Sequence, residues 1–84
     1  MSKDLKYELV MYNDKVNDIP YVMACLIRYC KHETLQAEQC AMITHNNQKC
    51  TIKIGELSDL ISIKSELQEL GLTVELDSHD SIMH

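Results

Sequence analysis

The chain has 84 residues, enough for one domain and not for two. Its 45% apolar and 25% charged residues are ordinary for a globular protein and give no indication of disorder. A net charge of -5 excludes nucleic-acid backbones and anionic membrane surfaces as partners, because both need clustered Lys and Arg.

Residues 7–12 alternate, with Tyr7, Leu9 and Met11 on one face and Glu8, Val10 and Tyr12 on the other. Apolar side chains on both faces predict a mostly buried strand. Asn13 and Asp14 stop it, and Asn17-Asp18 offers a helix N-cap. Pro20 falls in the first helical turn, where its missing N–H costs nothing. Val22, Leu26 and Tyr29, flanked by Met23 and Cys30, form a helical stripe that runs to about Lys31. After a break at His32-Glu33, Thr34 can cap a second helix. It carries Leu35, Ala37, Cys40, Ala41 and Ile43 and ends near Asn46-Asn47. Cys50, Ile52 and Ile54 alternate with Thr51 and Lys53, which predicts a strand closed by Gly55. Ser58 can cap a third helix on which Leu60, Ile63, Leu67 and Leu70 repeat at three-and-four spacing. Gly71 suits its left-handed C′ position, and Leu72, Val74 and Leu76 then alternate into a last strand.

The expected order is β-α-α-β-α-β, a two-layer α+β domain with three strands packed on three helices. The single domain spans 1–84, with residues 1–5 and 78–84 expected to fray. No apolar run approaches the roughly 20 residues of a membrane-spanning helix. Met1, Ser2, Lys3 and Asp4 lack the apolar centre of a secretory signal, so a cytoplasmic location is expected.

The four cysteines, Cys25, Cys30, Cys40 and Cys50, form no Cys-x-x-Cys pair. In a reducing compartment they read as small apolar residues. His32 and His45 could join Cys30 and Cys40 around zinc, but the spacing fits no standard finger. No cofactor and no metal are implied. Catalysis has no support either. Cys30 and His32 are two apart at a helix end and do not face each other, and the chain has no Gly-rich phosphate loop and no His-Glu-x-x-His. The chain is expected to bind other proteins and not to be an enzyme.

Two places are less ordinary. The corner from Tyr12 to Asn17 reads, taken alone, as turn chemistry. His45, taken alone, reads as a charge interacting with the end of a helix dipole. The segment Tyr7 to Asp14, however, resembles the opening strand and Asn-Asp corner of the Clp protease adaptor family, ClpS. Ile19 to Tyr29 is similar to that family's first helix, and Ala37 to His45 to its second, which ends in Val-His. The resemblance covers about residues 6–77. It implies the fold that ClpS shares with the ribosomal L7/L12 C-terminal domain.

The resemblance further implies an adaptor that binds proteins through a bulky hydrophobic first residue, the N-degron, and delivers them to a Clp AAA+ unfoldase of the ClpA or ClpC kind. On this pattern Asn13, Asp14 and His45 match the positions that hold the substrate α-amino group. Asn17, Ile19, Val22, Ala41, Thr44 and Leu72 match those lining the side-chain pocket. Asp59 and Lys64 match positions that contact the unfoldase, with a one-residue insertion between His45 and Asp59. The chemistry suits the assignment. An α-amino group is mainly ammonium at neutral pH and is purely a donor, so it needs acceptors such as the Asn13 amide oxygen and a neutral His45 ring nitrogen.

The sequence also departs from the family. Lys15 stands where a second Asp is usual, and Ile19 and Ala41 where Met is common. The Gly-x-Tyr/Phe-Thr stretch of the middle strand is not kept in Ile52 to Glu56. Only a few residues precede the first strand, where the family often carries a long flexible delivery segment, so recognition and delivery are expected to be separated here. These departures leave open a second reading, a same-fold regulator of a Clp unfoldase without α-amino recognition. A metal or redox protein built on the cysteines is a third.

Overall fold

The structure, a computed structural model, describes residues 6–78. Among them run β1 (Tyr7–Tyr12), α1 (Ile19–Tyr29), α2 (Thr34–Asn47), β2 (Lys49–Gly55), α3 (Leu57–Glu69) and β3 (Thr73–Ser78), the expected order. The strands form one antiparallel sheet in the order β2-β1-β3. The strand with apolar residues on both faces is therefore the central one. Leu9 and Met11 face the helices, while Val10 on the opposite face is still only 5% exposed.

The helices cover one face of the sheet. Leu26 of α1, Ala37 and Cys40 of α2, and Leu60 and Leu67 of α3 pack with Leu9, Met11, Ile52 and Val74 in one core. Fully burying a side chain of Leu size contributes about 1.5–3 kcal/mol. The six largest fully buried residues, Leu9, Met11, Leu26, Leu60, Leu67 and Val74, come from both layers and hold them together.

Some expectations change. In β2 the simple alternation fails, because Leu9 pairs with Lys53 but Val10 pairs with Thr51, leaving Ile52 as an extra residue. Such a bulge exchanges the two faces beyond it. Ile52 stays in the core, whereas Ile54 pairs with Glu8 and is half exposed. In α2 the buried stripe is Ala37, Cys40, Ala41 and Thr44. Leu35 and Ile43 each sit two residues from a member of that stripe, roughly 200° around the helix, and are exposed.

The capping expectations divide. Asp18 caps α1 by accepting from the Tyr21 N–H at 3.0 Å. Thr34 and Ser58 are not caps; they lie inside α2 and α3, whose caps are Glu33 and Glu56, neither with a side-chain bond. α1 stops at Tyr29, short of Lys31. Lys31 turns left-handed (φ 60°), and the His32 N–H closes onto the Leu26 carbonyl at 3.3 Å. Gly71 is left-handed as expected (φ 93°). Its N–H donates to the Gln68 carbonyl and that of Leu72 to the Leu67 carbonyl, both at 3.0 Å, which is the Schellman closure. β3 continues through Asp77 and Ser78, paired with Glu8 and Tyr7, so the expected fraying does not begin at residue 78. The fraying expected for 1–5 and 79–84 lies outside the described residues.

Cys25, Cys30 and Cys40 are buried, Cys50 is half-buried, and all are unpaired thiols. Burial pushes the Cys30 thiol up to about 11. Burial, reinforced by the adjacent Cys40 thiol, pushes Cys50 up to about 12. Thiols held protonated in this way are poor metal ligands and nucleophiles. His32 is buried as well, its Nε2 donating to the Ile52 carbonyl at 2.8 Å while Nδ1 has no partner. No helix among the described residues is long and apolar enough to cross a membrane.

Candidate functional site

The site grows from the corner between β1 and α1. Asp14 accepts at Oδ1 from the backbone N–H of Val16 (3.0 Å) and Asn17 (2.9 Å), folding the corner back on itself. Asn17 Nδ2 donates to Asp14 Oδ2 at 3.0 Å and to the Gly71 carbonyl at 2.9 Å. The Thr73 hydroxyl lies 3.4 Å from Asp14 Oδ2, and the Tyr21 hydroxyl donates to the Leu70 carbonyl at 2.6 Å. These bonds tie the corner to the turn between α3 and β3.

A further bond ties it to α2. The Asn13 N–H donates to the Gln48 carbonyl at 2.8 Å. Gln48 is the left-handed C-cap of α2 (φ 81°), and its own N–H closes onto the Thr44 carbonyl at 2.9 Å. The last turn of α2, which carries His45, is thereby brought against the end of β1.

Between these elements lies a cavity of about 340 Å³, counted with its open mouth. It is lined by Met11, Tyr12, Asn13, Asp14, Asn17, Ile19, Val22, Ala41, Thr44, His45 and Leu72. Asn13, Asp14 and His45, matched to the α-amino group, and Asn17, Ile19, Val22, Ala41, Thr44 and Leu72, matched to the pocket, thus share one wall. Met11 and Tyr12 also line the cavity, although the resemblance assigns neither of them a place in it. Strand alternation assigns Met11 to the core and Tyr12 to the opposite face, and only their position just before Asn13 marks them. Asp59 and Lys64 lie elsewhere. Asp59 is exposed in the first turn of α3, and Lys64 reaches Glu75 of β3 at 3.8 Å.

The lining divides by chemistry. Ala41, Thr44 and Leu72 are buried and, with Val22 and Ile19, make an apolar floor. Thr44 adds little polarity, since its hydroxyl donates to the Cys40 carbonyl at 2.9 Å. Asn13 and His45 sit exposed at the rim. Their side chains make no hydrogen bond or ion pair with another described residue, so each keeps a free acceptor when His45 is neutral.

Asp14 differs from both. Burial alone would raise its pKa, but the bonds from Asn17, Val16 and Thr73 outweigh that and hold its carboxyl below the ordinary value. Its lone pairs are occupied, so it shapes the corner and contributes charge. An apolar floor with a few convergent polar groups at the rim is the usual form of a small-ligand site.

A wider recess of about 890 Å³, open to solvent, adjoins this cavity. Asn13, Asp14, Asn17, Ile19 and His45 belong to both, and Lys15, Asp18 and Pro20 complete the second. Among the described residues no three His, Cys, Asp or Glu side chains converge as a metal site would require.

No curated protein sequence matches the chain. Among solved structures, the chain is similar to Agrobacterium tumefaciens ClpS2 bound to L-phenylalaninamide. The two share 14% sequence identity and superpose with a TM-score of 0.87, over 92% of this chain and 100% of that one. That likeness establishes the fold. The family model of the ATP-dependent Clp protease adaptor protein ClpS matches residues 2–75, nearly the whole chain. The chain therefore belongs to the ClpS family of Clp protease adaptors.

Proposed function

We propose that this protein is an adaptor that binds the α-amino group and bulky hydrophobic first residue of substrate proteins and hands them to a Clp unfoldase. The observation that carries the reading is the pair of uncommitted acceptors, Asn13 and His45, at the rim of an apolar pocket. An ammonium group offers only donors, so two acceptors beside an apolar floor suit a chain terminus better than any internal residue. An interior residue offers the same acceptors a single neutral N–H in place of an ammonium with three donors, and is the weaker match.

The ligand held by the similar ClpS2 structure, L-phenylalaninamide, fits the same description. It combines a free α-amino group with a large apolar side chain. Asp14 supports the arrangement as a fixed negative charge that organises the corner, with Asn13 and His45 making the contacts. The unfoldase is expected to meet the first half of α3 around Asp59 and Lys64, away from the pocket, so substrate and unfoldase bind together. Such an adaptor works in the cytoplasm, where Clp unfoldases meet newly exposed termini.

The test is a fluorescence-anisotropy titration with peptides beginning Leu, Phe, Tyr, Trp, Ile or Ala, each with a free and an acetylated terminus. Micromolar or tighter binding that requires both a bulky first residue and a free amine is the expected result. Binding indifferent to acetylation would overturn α-amino recognition and favour a same-fold regulator of the unfoldase.

A further inference from the structure

We infer that Lys15 makes this site selective for substrates with an acidic residue immediately after the first; this rests on the α-amino reading above. The pocket accepts one side chain, and the rest of the substrate must leave it. The open recess shares Asn13, Asp14, Asn17, Ile19 and His45 with the pocket, so a chain whose amino group is held by Asn13 and His45 passes into it. One extended residue advances about 3.3 Å, which sets the second side chain within reach of the recess wall.

The charges on that wall are not equivalent. Asp14 is occupied by Val16, Asn17 and Thr73, and Asp18 by the Tyr21 N–H at the start of α1. Asp18 also faces the positive end of a helix dipole, which offsets its charge. Lys15 is exposed and has no ion-pair partner among the described residues. It stands beside two carboxylates, Asp14 and Asp18, that local bonds hold in place, whereas its own flexible stem can swing away from them to meet a substrate carboxylate. The net charge of -5 acts against acidic substrates at long range, but the Debye length of about 8 Å at physiological salt confines that effect. A contact with Lys15 is shorter than this and survives.

The effect is that of an exposed ion pair, about 2- to 5-fold in affinity at low salt. The experiment compares free-amine peptides that begin with Leu or Phe and carry Asp, Gly or Lys in second place. Each is titrated against the natural protein, Lys15→Ala and Lys15→Glu at 20 mM and 300 mM salt. The expected order for the natural protein is Asp above Gly above Lys, flattened by Lys15→Ala, reversed by Lys15→Glu and compressed at the higher salt. Equal affinities for the three peptides in the natural protein, or an order that Lys15→Glu leaves unchanged, overturns the inference while leaving α-amino recognition standing. Failure of every free-amine peptide to bind removes both. Lys15 is exposed and makes no contact the fold needs, so circular dichroism of both variants should match the natural protein.

Discussion

The corner at residues 13–17 and the exposed face of α3 are both polar and surface-lying, yet they are built differently. At the corner, Asp14 and Asn17 bond to each other, Asp14 also accepts from the Val16 N–H and from Thr73 of β3, and Asn17 reaches the Gly71 carbonyl in the turn between α3 and β3. On α3, Asp59 has no partner among the described residues, and Lys64 makes one long ion pair with Glu75. The first is a cross-linked frame and the second a set of independent charges. A frame can hold acceptors at a fixed spacing for a small ligand. Independent charges suit a broad protein surface, where small shifts of a side chain are tolerated.

The sharpest way to break the contrast is at the rim. Asn13→Ala and His45→Ala should each weaken free-amine peptide binding by about 10- to 100-fold, since a hydrogen bond to a charged partner is worth about 1.5–3 kcal/mol. Neither should change the melting temperature appreciably, because the Asn13 backbone bond to Gln48 remains. Within the frame, Asn17→Ala should lower both stability and binding. It removes bonds to Asp14 and the Gly71 carbonyl, costing about 1–2 kcal/mol of unfolding free energy and roughly 4–8 °C per kcal/mol in a domain of this size.

Gln48→Gly should act in the opposite direction. It relieves a left-handed non-glycine residue and should raise stability by up to about 1 kcal/mol, measured by urea unfolding. On the α3 face, Lys64→Ala and Asp59→Ala should each change stability by about 0.5 kcal/mol or less.

Acid should weaken the corner. Asp14 is held below its ordinary value of 3.8, so its contribution is fully present above about pH 4 and is lost as the pH falls through the lowered value. Protonation there removes the acceptor that shapes the corner. Stability measured between pH 5 and 2 should therefore fall less steeply in Asp14→Asn than in the natural protein.

Much of this was legible in the residues. The central strand announced itself through apolar residues on both faces, and Gly71 marked a left-handed helix end. The bulge at Ile52 was not legible, because Cys50, Ile52 and Ile54 alternate as they would in a regular strand. Leu35 and Ile43 misled for a related reason. They are as apolar as the other residues of the second helix, and only the phase set by Ala37, Cys40, Ala41 and Thr44 puts them outside the core. At the site, the resemblance to ClpS brought Asn13 and His45 together, which spacing alone could not do. What no pattern disclosed was that the Asp14 carboxylate is spent inside the corner. That depends on Asn17 and Thr73 arriving from either side of it.

The bond between the Asn13 N–H and the Gln48 carbonyl makes the separation of the two rim acceptors a property of the main chain. It works as a gauge that no side chain sets. Ile19 or Ala41 can therefore be exchanged for larger or smaller residues, retuning which first side chain fits, while the grip on the amino terminus keeps its span. Lengthening the segment between His45 and Lys49 by a single residue would do the reverse, leaving the pocket's lining intact and its two handles out of step.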